Sequence, residues 1–313
     1  MSWPYPRIVA HRGGGALAPE NTLGAIRLGA AMGFRGVEFD VMLAGDGTPV
    51  VIHDETVDRT TDGHGEVSKL DFPALSSFRI QGNERIPRYE DAVALCRELG
   101  IWANVEIKPA KGHERVTGEA VARMTRGLWR AAPLAPLLSS FSVDALAGAR
   151  SVAPELPRGY LVDKVPDDWR DTLRRLGCVA LHCNYKSLNE KLAAGIHKAG
   201  YSILLWTVND PAMARQMLAM GAECLVTDAL DRIGPDKVRV NCVNPVFSPE
   251  TGLSAEFAGG ALTDEAKKAF LATIPLGRFS TALDVANASL YLASDEAAMV
   301  SGSCIEVDGA RCV

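Results

Sequence analysis

Short runs of apolar and β-branched residues alternate along the chain with longer amphipathic stretches. The runs fall at residues 8–11, 36–42, 50–53, 102–107, 137–141, 158–162, 178–182, 202–208 and 223–227, each the length of a strand buried on both faces. Between most of them the apolar residues take helical spacing, as in Leu23 to Met32 and in Tyr89 to Leu99, the latter followed by Gly100, a common helix stop. Strand and helix repeated in this way predict a parallel sheet with crossover helices. Nine strands are one too many for a closed (β/α)8 barrel. The second and third, however, are separated only by MLAGDGTP, too short for a helical crossover. Asp46-Gly47 is a hairpin signal. A turn centred there pairs positions summing to 93, so Asp40 is expected opposite His53 on an antiparallel flap at the barrel rim. Eight strands are then left for the barrel.

Residues 55–87 lack strand rhythm and are rich in turn formers, which marks an insertion that could serve as a lid. The rhythm changes again after Gly234-Pro235-Asp236, where a new β-like run, VRVNCVNP, begins. The expected organisation is an α/β barrel over residues 1–236, with a small insertion, and a short α/β fragment over residues 237–313, joined near Pro235.

Composition removes several classes of function. With 313 residues, 47% hydrophobic and 23% charged, the chain can bury a large core, and its net charge of -5 offers no general attraction to nucleic acid or to an anionic membrane. No apolar run reaches the length of a membrane span and the first residues carry no signal-peptide core. The seven cysteines (Cys96, Cys178, Cys183, Cys224, Cys242, Cys304 and Cys312) are odd in number and lack CxxC spacing. They read as reduced thiols of a cytoplasmic protein.

The chemistry gathers at strand ends. His11-Arg12-Gly13, Glu38-Phe39-Asp40, His53-Asp54 and Glu106-Ile107-Lys108 close early strands or the adjoining flap, the end where a barrel builds its active site. Residues i and i+2 of a strand share a face, so Glu38 and Asp40 converge, as do Glu106 and Lys108. Three carboxylates without a neighbouring cysteine form an oxygen-donor set suited to a divalent cation, Mg2+ or Ca2+. Two histidines beside it supply a proton donor and acceptor near neutral pH, and Arg12 and Lys108 can neutralise phosphoryl oxygens. The set fits metal-assisted phosphoryl transfer. Taken singly, each motif is an ordinary solvated strand end or turn; four at once, each at a strand end, are not expected by chance.

Over residues 7–236 the chain resembles the glycerophosphodiester phosphodiesterases. The motifs that carry the resemblance stand in order: His11-Arg12-Gly13, Pro19-Glu20-Asn21-Thr22, Glu38-Phe39-Asp40, His53-Asp54, Glu106-Ile107-Lys108-Pro109 and Trp206-Thr207-Val208-Asn209. The resemblance implies a TIM-type barrel, a cation held by Glu38, Asp40 and Glu106, acid-base work by His11 and His53, and a glycerophosphodiester as small-molecule substrate. It also implies attack of the glycerol 2-hydroxyl on phosphorus, with a cyclic phosphate that water opens. Trp206, and more weakly Phe141, would form an apolar wall against glycerol. Asn21 or Thr22 is read as the cap of the first helix. His64 and His113 lie in turn-rich segments, His197 in a helical stretch, and His182 on a strand that can face the barrel mouth; none of the four is given a catalytic part.

A reading from another class competes. Gly13 to Ala18 fits a loose G-x-G-x-x-A dinucleotide fingerprint, but Pro19 interrupts the stretch and the caps come only at Asn21 or Thr22, so these glycines are not expected to open a helix on a pyrophosphate. Residues 238–309 resemble the C-terminal end of short-chain dehydrogenases through VRVNCVNP, IPLGRF, DVANASLYLAS and GSCIEVDG. The cofactor loop and Tyr-x-x-x-Lys pair of that family have no counterpart upstream on a helix. The alternatives are therefore an NAD(P)-dependent oxidoreductase or a catalytically silent fusion. Exposed strand edges in the C-terminal fragment would allow a homo-oligomer.

Overall fold

The computed structural model describes residues 3–130, 132–234, 241–246, 248, 263–297 and 300–311. The chain forms two compact units, Met1–Asp236 and Lys237–Val313. The junction expected near Pro235 lies outside the described residues.

In the first unit β1 (Ile8–Ala10), β2 (Gly36–Leu43), β4 (Trp102–Ile107), β5 (Leu137–Ser140), β6 (Arg158–Val162), β7 (Ala180–Asn184), β8 (Ser202–Trp206) and β9 (Cys224–Thr227) run parallel, and β3 (Pro49–Val51) is the antiparallel addition. The ring closes through β1, which pairs with β9 at Ile8↔Leu225 and with β2 at Ala10↔Val37. Alternation along each strand divides outside from inside. Val37, Phe39 and Val41 of β2, with Ala103, Val105 and Ile107 of β4, join the core beneath the helices. The intervening Glu38, Asp40, Asn104 and Glu106 line the cleft on the inner side. Burying an outward Phe, Ile or Leu contributes about 1.5–3 kcal/mol. That outer layer holds the inward polar residues in place.

Most of the described helices begin where the sequence supplies an acceptor. Thr22 takes the Ala25 N–H at the start of α1 (Leu23–Ala31), so of the two capping candidates it is Thr22 that caps. Asp71 starts α2 (Phe72–Ser77) in the same way. Arg88 precedes α3 (Tyr89–Glu98) and His113 precedes α4 (Glu114–Leu128), both without a side-chain cap. Ser142 caps α5 (Val143–Val152), Asn189 caps α7 (Glu190–Lys198), and Asp210 caps α8 (Pro211–Ala219). Each such cap contributes about 1 kcal/mol. Between α5 and α7, α6 (Trp169–Leu176) ends on Gly177 at φ 62°.

Two expectations need correction. The β2–β3 ladder pairs Val41↔Val51, Met42↔Val50 and Leu43↔Pro49, which sums to 92 rather than 93. The loop holds three residues, Gly45, Asp46 and Gly47, with Gly47 at φ +84° and with Ala44 N–H bonded to Thr48 O and Gly47 N–H to Ala44 O. The left-handed third residue is the signature of this longer loop. Asp40 consequently faces Ile52, whose N–H it accepts at 3.1 Å, and not His53. The sixth barrel strand, β7, covers 180–184 rather than 178–182, because the Cys178 N–H still closes the end of α6 on Leu173 O.

Residues 55–87 contain α2, two single 3-10 turns, Val67–Lys69 and Gln81–Asn83, and the isolated bridges Thr56↔Glu66 and Thr61↔Ile80. Val57, Val67, Leu75, Ile80 and Ile86 pack against Met42, Val50 and Ile52 of the hairpin. The insertion thus has a core of its own, anchored on β2 and β3.

Among the described residues the second unit holds β10 (Cys242–Pro245), paired in parallel with β11 (Cys304–Val307), and the helices α9 (Asp264–Leu271) and α10 (Ala282–Ala293). The latter starts in a capping box between Thr281 and Asp284. Of the VRVNCVNP run, residues 238–240 lie outside the described residues. Leu292 of α10 is buried, while Val285 and Ala288 are half-buried.

Candidate active site

Strand ends of the first unit deliver the charged residues to one cleft, lined by His11, Arg12, Glu38, Asp40, His53, Glu106, Lys108, Phe141 and Trp206. All nine residues singled out in the sequence are therefore brought together.

Asp40 and Glu106 are direct partners across the β2–β4 ladder, and Glu38 lies two residues before Asp40 on the same face. One carboxylate oxygen of each falls within 4.8 Å of the others, although the three residues are only 4%, 1% and 9% exposed. Three buried charges of one sign cannot all persist. Burial, and after it the Asp40 charge, pushes Glu38 up to about 7 and Glu106 up to about 8. Among the described residues Glu38 Oε1 has no hydrogen-bond partner, and Glu106 Oε1 has only the Lys108 ammonium at 3.3 Å, outside hydrogen-bond geometry. Unspent oxygens and strained ionisation in an all-oxygen set fit a divalent cation.

Asn21, at φ 59°, grips Asp40 from both sides: its Nδ2 donates to Oδ2 at 2.8 Å and its Oδ1 accepts the Asp40 N–H at 3.1 Å. Its neighbour Thr22 does the capping. Arg12, also at positive φ, donates its N–H to Glu38 Oε2 at 3.1 Å and a guanidinium N–H to Glu20 at 2.7 Å. Its Nε stands 3.7 Å from Asp40.

Each histidine is oriented by a carboxylate through Nδ1. His11 meets Asp228 Oδ1 at 2.5 Å, and Asp228 is held in turn by Asn209 Nδ2 at 3.2 Å. Gly15 packs tightly there, since a Cβ on it would stand 2.3 Å from the Asp228 carbonyl oxygen. His53 meets Asp54 Oδ1 at 2.5 Å, and its Nε2 accepts from Lys108 Nζ at 2.7 Å. A ring that donates at Nδ1 and accepts at Nε2 is neutral. Burial works against the His11 proton, but the Asp228 hydrogen bond and the Glu38 and Asp228 charges prevail and raise its pKa. For His53 burial prevails over the pull of Asp40 and Asp54, with Lys108 and Arg12 adding to it, and the pKa is lowered. The two environments push the pair apart, the usual way to obtain an acid and a base from one residue type.

Phe141 and Trp206 meet edge to face with ring centroids 5.5 Å apart, and the Lys108 ammonium stands 5.9 Å from the Phe141 centroid. They form an apolar wall beside the charged residues. His182 does not reach the mouth. It lies fully buried on β7 at the cleft floor, with both ring nitrogens unpartnered among the described residues and its pKa pushed down to about 3 by burial.

The competing phosphate-loop reading fails on geometry. Gly13 to Leu17 form a turn and the 3-10 helix Gly15–Leu17, and α1 opens only at Leu23. Sequence reasoning assigned no role to Asp54, Asn209 or Glu20, although all three stood inside quoted motifs, and it left Asp228 and Arg59 without one.

The glycerophosphoryl diester phosphodiesterase family profile matches residues 11–232, and an enoyl-(acyl carrier protein) reductase profile matches residues 220–310. A glycerophosphodiester phosphodiesterase of Caldanaerobacter subterraneus is 32% identical over 234 residues, covering 71% of this chain and 93% of that protein. An Oleispira antarctica phosphodiesterase, solved with the product sn-glycerol-3-phosphate, superposes with a TM-score of 0.69 at 33% identity, covering 75% of this chain and 95% of that one. A Thermotoga maritima glycerophosphodiester phosphodiesterase, 24% identical with a TM-score of 0.61 over 73% of this chain and 97% of its own, shares the fold. Barrel, motif order and these likenesses agree, and the chain belongs to the glycerophosphodiester phosphodiesterase family.

Proposed function

We propose that the chain hydrolyses glycerophosphodiesters to an alcohol and sn-glycerol 3-phosphate by two-histidine acid-base catalysis that depends on a divalent cation. The observation that carries this is the joint placement, in one cleft, of three buried carboxylates and two carboxylate-oriented histidines of opposite pKa shift.

Arg12 and Lys108 hold the phosphoryl oxygens and the Phe141–Trp206 wall takes the carbon face of glycerol. As Lys108 turns from His53 Nε2 to a phosphoryl oxygen, that neutral ring nitrogen accepts the proton of the glycerol 2-hydroxyl while the hydroxyl oxygen bonds to phosphorus. His11, which retains its proton to higher pH, donates to the departing alcohol oxygen. Water then opens the cyclic phosphate with the two roles exchanged. A divalent cation on Glu38, Asp40 and Glu106 would neutralise charge developing on the oxygens around phosphorus.

The deciding experiment is release of sn-glycerol 3-phosphate from glycerophosphocholine with and without EDTA. Turnover that chelation abolishes and Mg2+ or Ca2+ restores is the expected result. Undiminished turnover after exhaustive chelation would remove the role given to the three carboxylates.

A further inference from the structure

Arg59 belongs to the insertion, outside the motifs quoted above, and its side chain is half exposed. Yet its guanidinium makes four hydrogen bonds to two carboxylates at once. Nε and Nη2 reach Asp54 at 2.5 and 3.1 Å, and Nη1 and Nη2 reach Glu20 at 2.8 and 2.7 Å. Both carboxylates are already engaged with the site: Asp54 Oδ1 takes His53 Nδ1 at 2.5 Å, and Glu20 Oε1 takes Arg12 Nη1 at 2.7 Å. One continuous chain of bonds therefore runs Arg12, Glu20, Arg59, Asp54, His53, Lys108, entering the cleft at both ends.

Surface ion pairs are usually worth little, so the significance of this pair lies in geometry rather than stability. A planar fork with fixed donors can hold two carboxylates in one orientation; a lysine ammonium cannot. We propose that Arg59 is a positioning residue for the reaction: by clamping Asp54 and Glu20 together it sets the tilt of His53 and the reach of Arg12, so that the insertion tunes the cleft from its rim. The inference rests on the function proposed above. The bond from Arg59 is the foremost cause holding the Asp54 carboxyl well below the usual carboxylate range, which keeps it an acceptor and holds the His53 proton on Nδ1.

The full-length protein carrying Arg59→Ala or Arg59→Lys tests this with two readouts. In the first, kcat and KM for glycerophosphocholine are measured with and without low guanidinium, against an equal concentration of urea. Arg59→Ala should lower kcat by up to about 100-fold, the scale of a small misplacement of reacting groups. Guanidinium but not urea should restore part of it, while Arg59→Lys should stay impaired. Values of kcat and KM within twofold of wild type, or a loss that guanidinium does not relieve, would overturn the proposal. In the second, 15N spectra of the imidazoles report the His53 tautomer without any turnover. A single Nδ1–H form in wild type that becomes a mixture in Arg59→Ala supports the clamp even if glycerophosphocholine proves not to be a substrate. An unchanged tautomer overturns it.

Discussion

The two units of this chain are built from similar residues and differ in what their apolar side chains find to pack against. In the barrel unit every residue of β2, β4 and β5 is buried, and Cys96, Cys178, Cys183 and Cys224 are inside. In the C-terminal unit β10 and β11 are mostly exposed, as are Cys242 and Cys304. Leu276, Leu283, Leu290 and Tyr291 are 44% to 72% exposed, against buried Ile274, Leu292 and Ala297. A closed ring gives each strand two neighbours and covers one face with helices. Among the described residues of the C-terminal unit, two parallel strands and two helices leave much of their apolar side chains exposed. Hydrophobic content alone does not make a core; topology decides whether it is used.

If the working part of the molecule is the barrel end, the sharpest break comes from its carboxylates. Asp40→Asn should reduce glycerol 3-phosphate release by about 1000-fold or more, several kcal/mol of lost charge stabilisation. Easily measured turnover in that variant would dissolve the contrast between the units. Next in size, His11→Ala and His53→Ala should each cost about 100-fold in kcat with the circular dichroism spectrum unchanged. A folded variant with near-normal kcat would reassign that histidine to binding or structure.

The third prediction concerns pH. Glu38 and Glu106 have folded-state pKa values of about 7 and about 8, above the unfolded 4.5. Their contribution to stability is therefore full below pH 4.5 and is lost as pH rises through 7 to 8. The Tm of chelated protein should fall over that range, and Mg2+ or Ca2+ should raise it more at pH 8 than at pH 5. A cation effect equal at both pH values would count against the carboxylate site.

Fourth, iodoacetamide under native conditions should modify Cys242 and Cys304 and spare Cys96, Cys178, Cys183 and Cys224 until denaturant is added, as read by peptide mass spectrometry. The smallest effect is expected from truncation after Asp236, which should leave a barrel with kcat within about twofold of the full chain, since every cleft residue precedes it. An inactive or insoluble truncation would show that the C-terminal unit supports the barrel after all.

Much of this was readable beforehand, for identifiable reasons. Inward and outward alternation along β2 and β4 follows from the period of a strand, so Glu38, Asp40, Glu106 and Lys108 could be grouped from sequence alone. The hairpin register could not, because a two-residue and a three-residue loop both take Gly47 left-handed and differ in Asp46, which is not left-handed here. From sequence Asn21 reads only as a cap candidate, since its bond to Asp40 links the loop before α1 to strand β2 and leaves no periodic trace. The same holds for Arg59, 39 residues from Glu20: long-range side-chain pairing is set by where loops meet.

β2 has a consequence for motion. It pairs near its start with β1, whose end carries His11, and near its finish with β3, whose end leads to His53. Both histidines are thus tied to one eight-residue strand, although His11 is also held to the end of β9 through Thr227 and Asp228. Movement of that shared strand is therefore expected to carry both histidines together, so that the distance between them should vary less than it would on two unconnected elements.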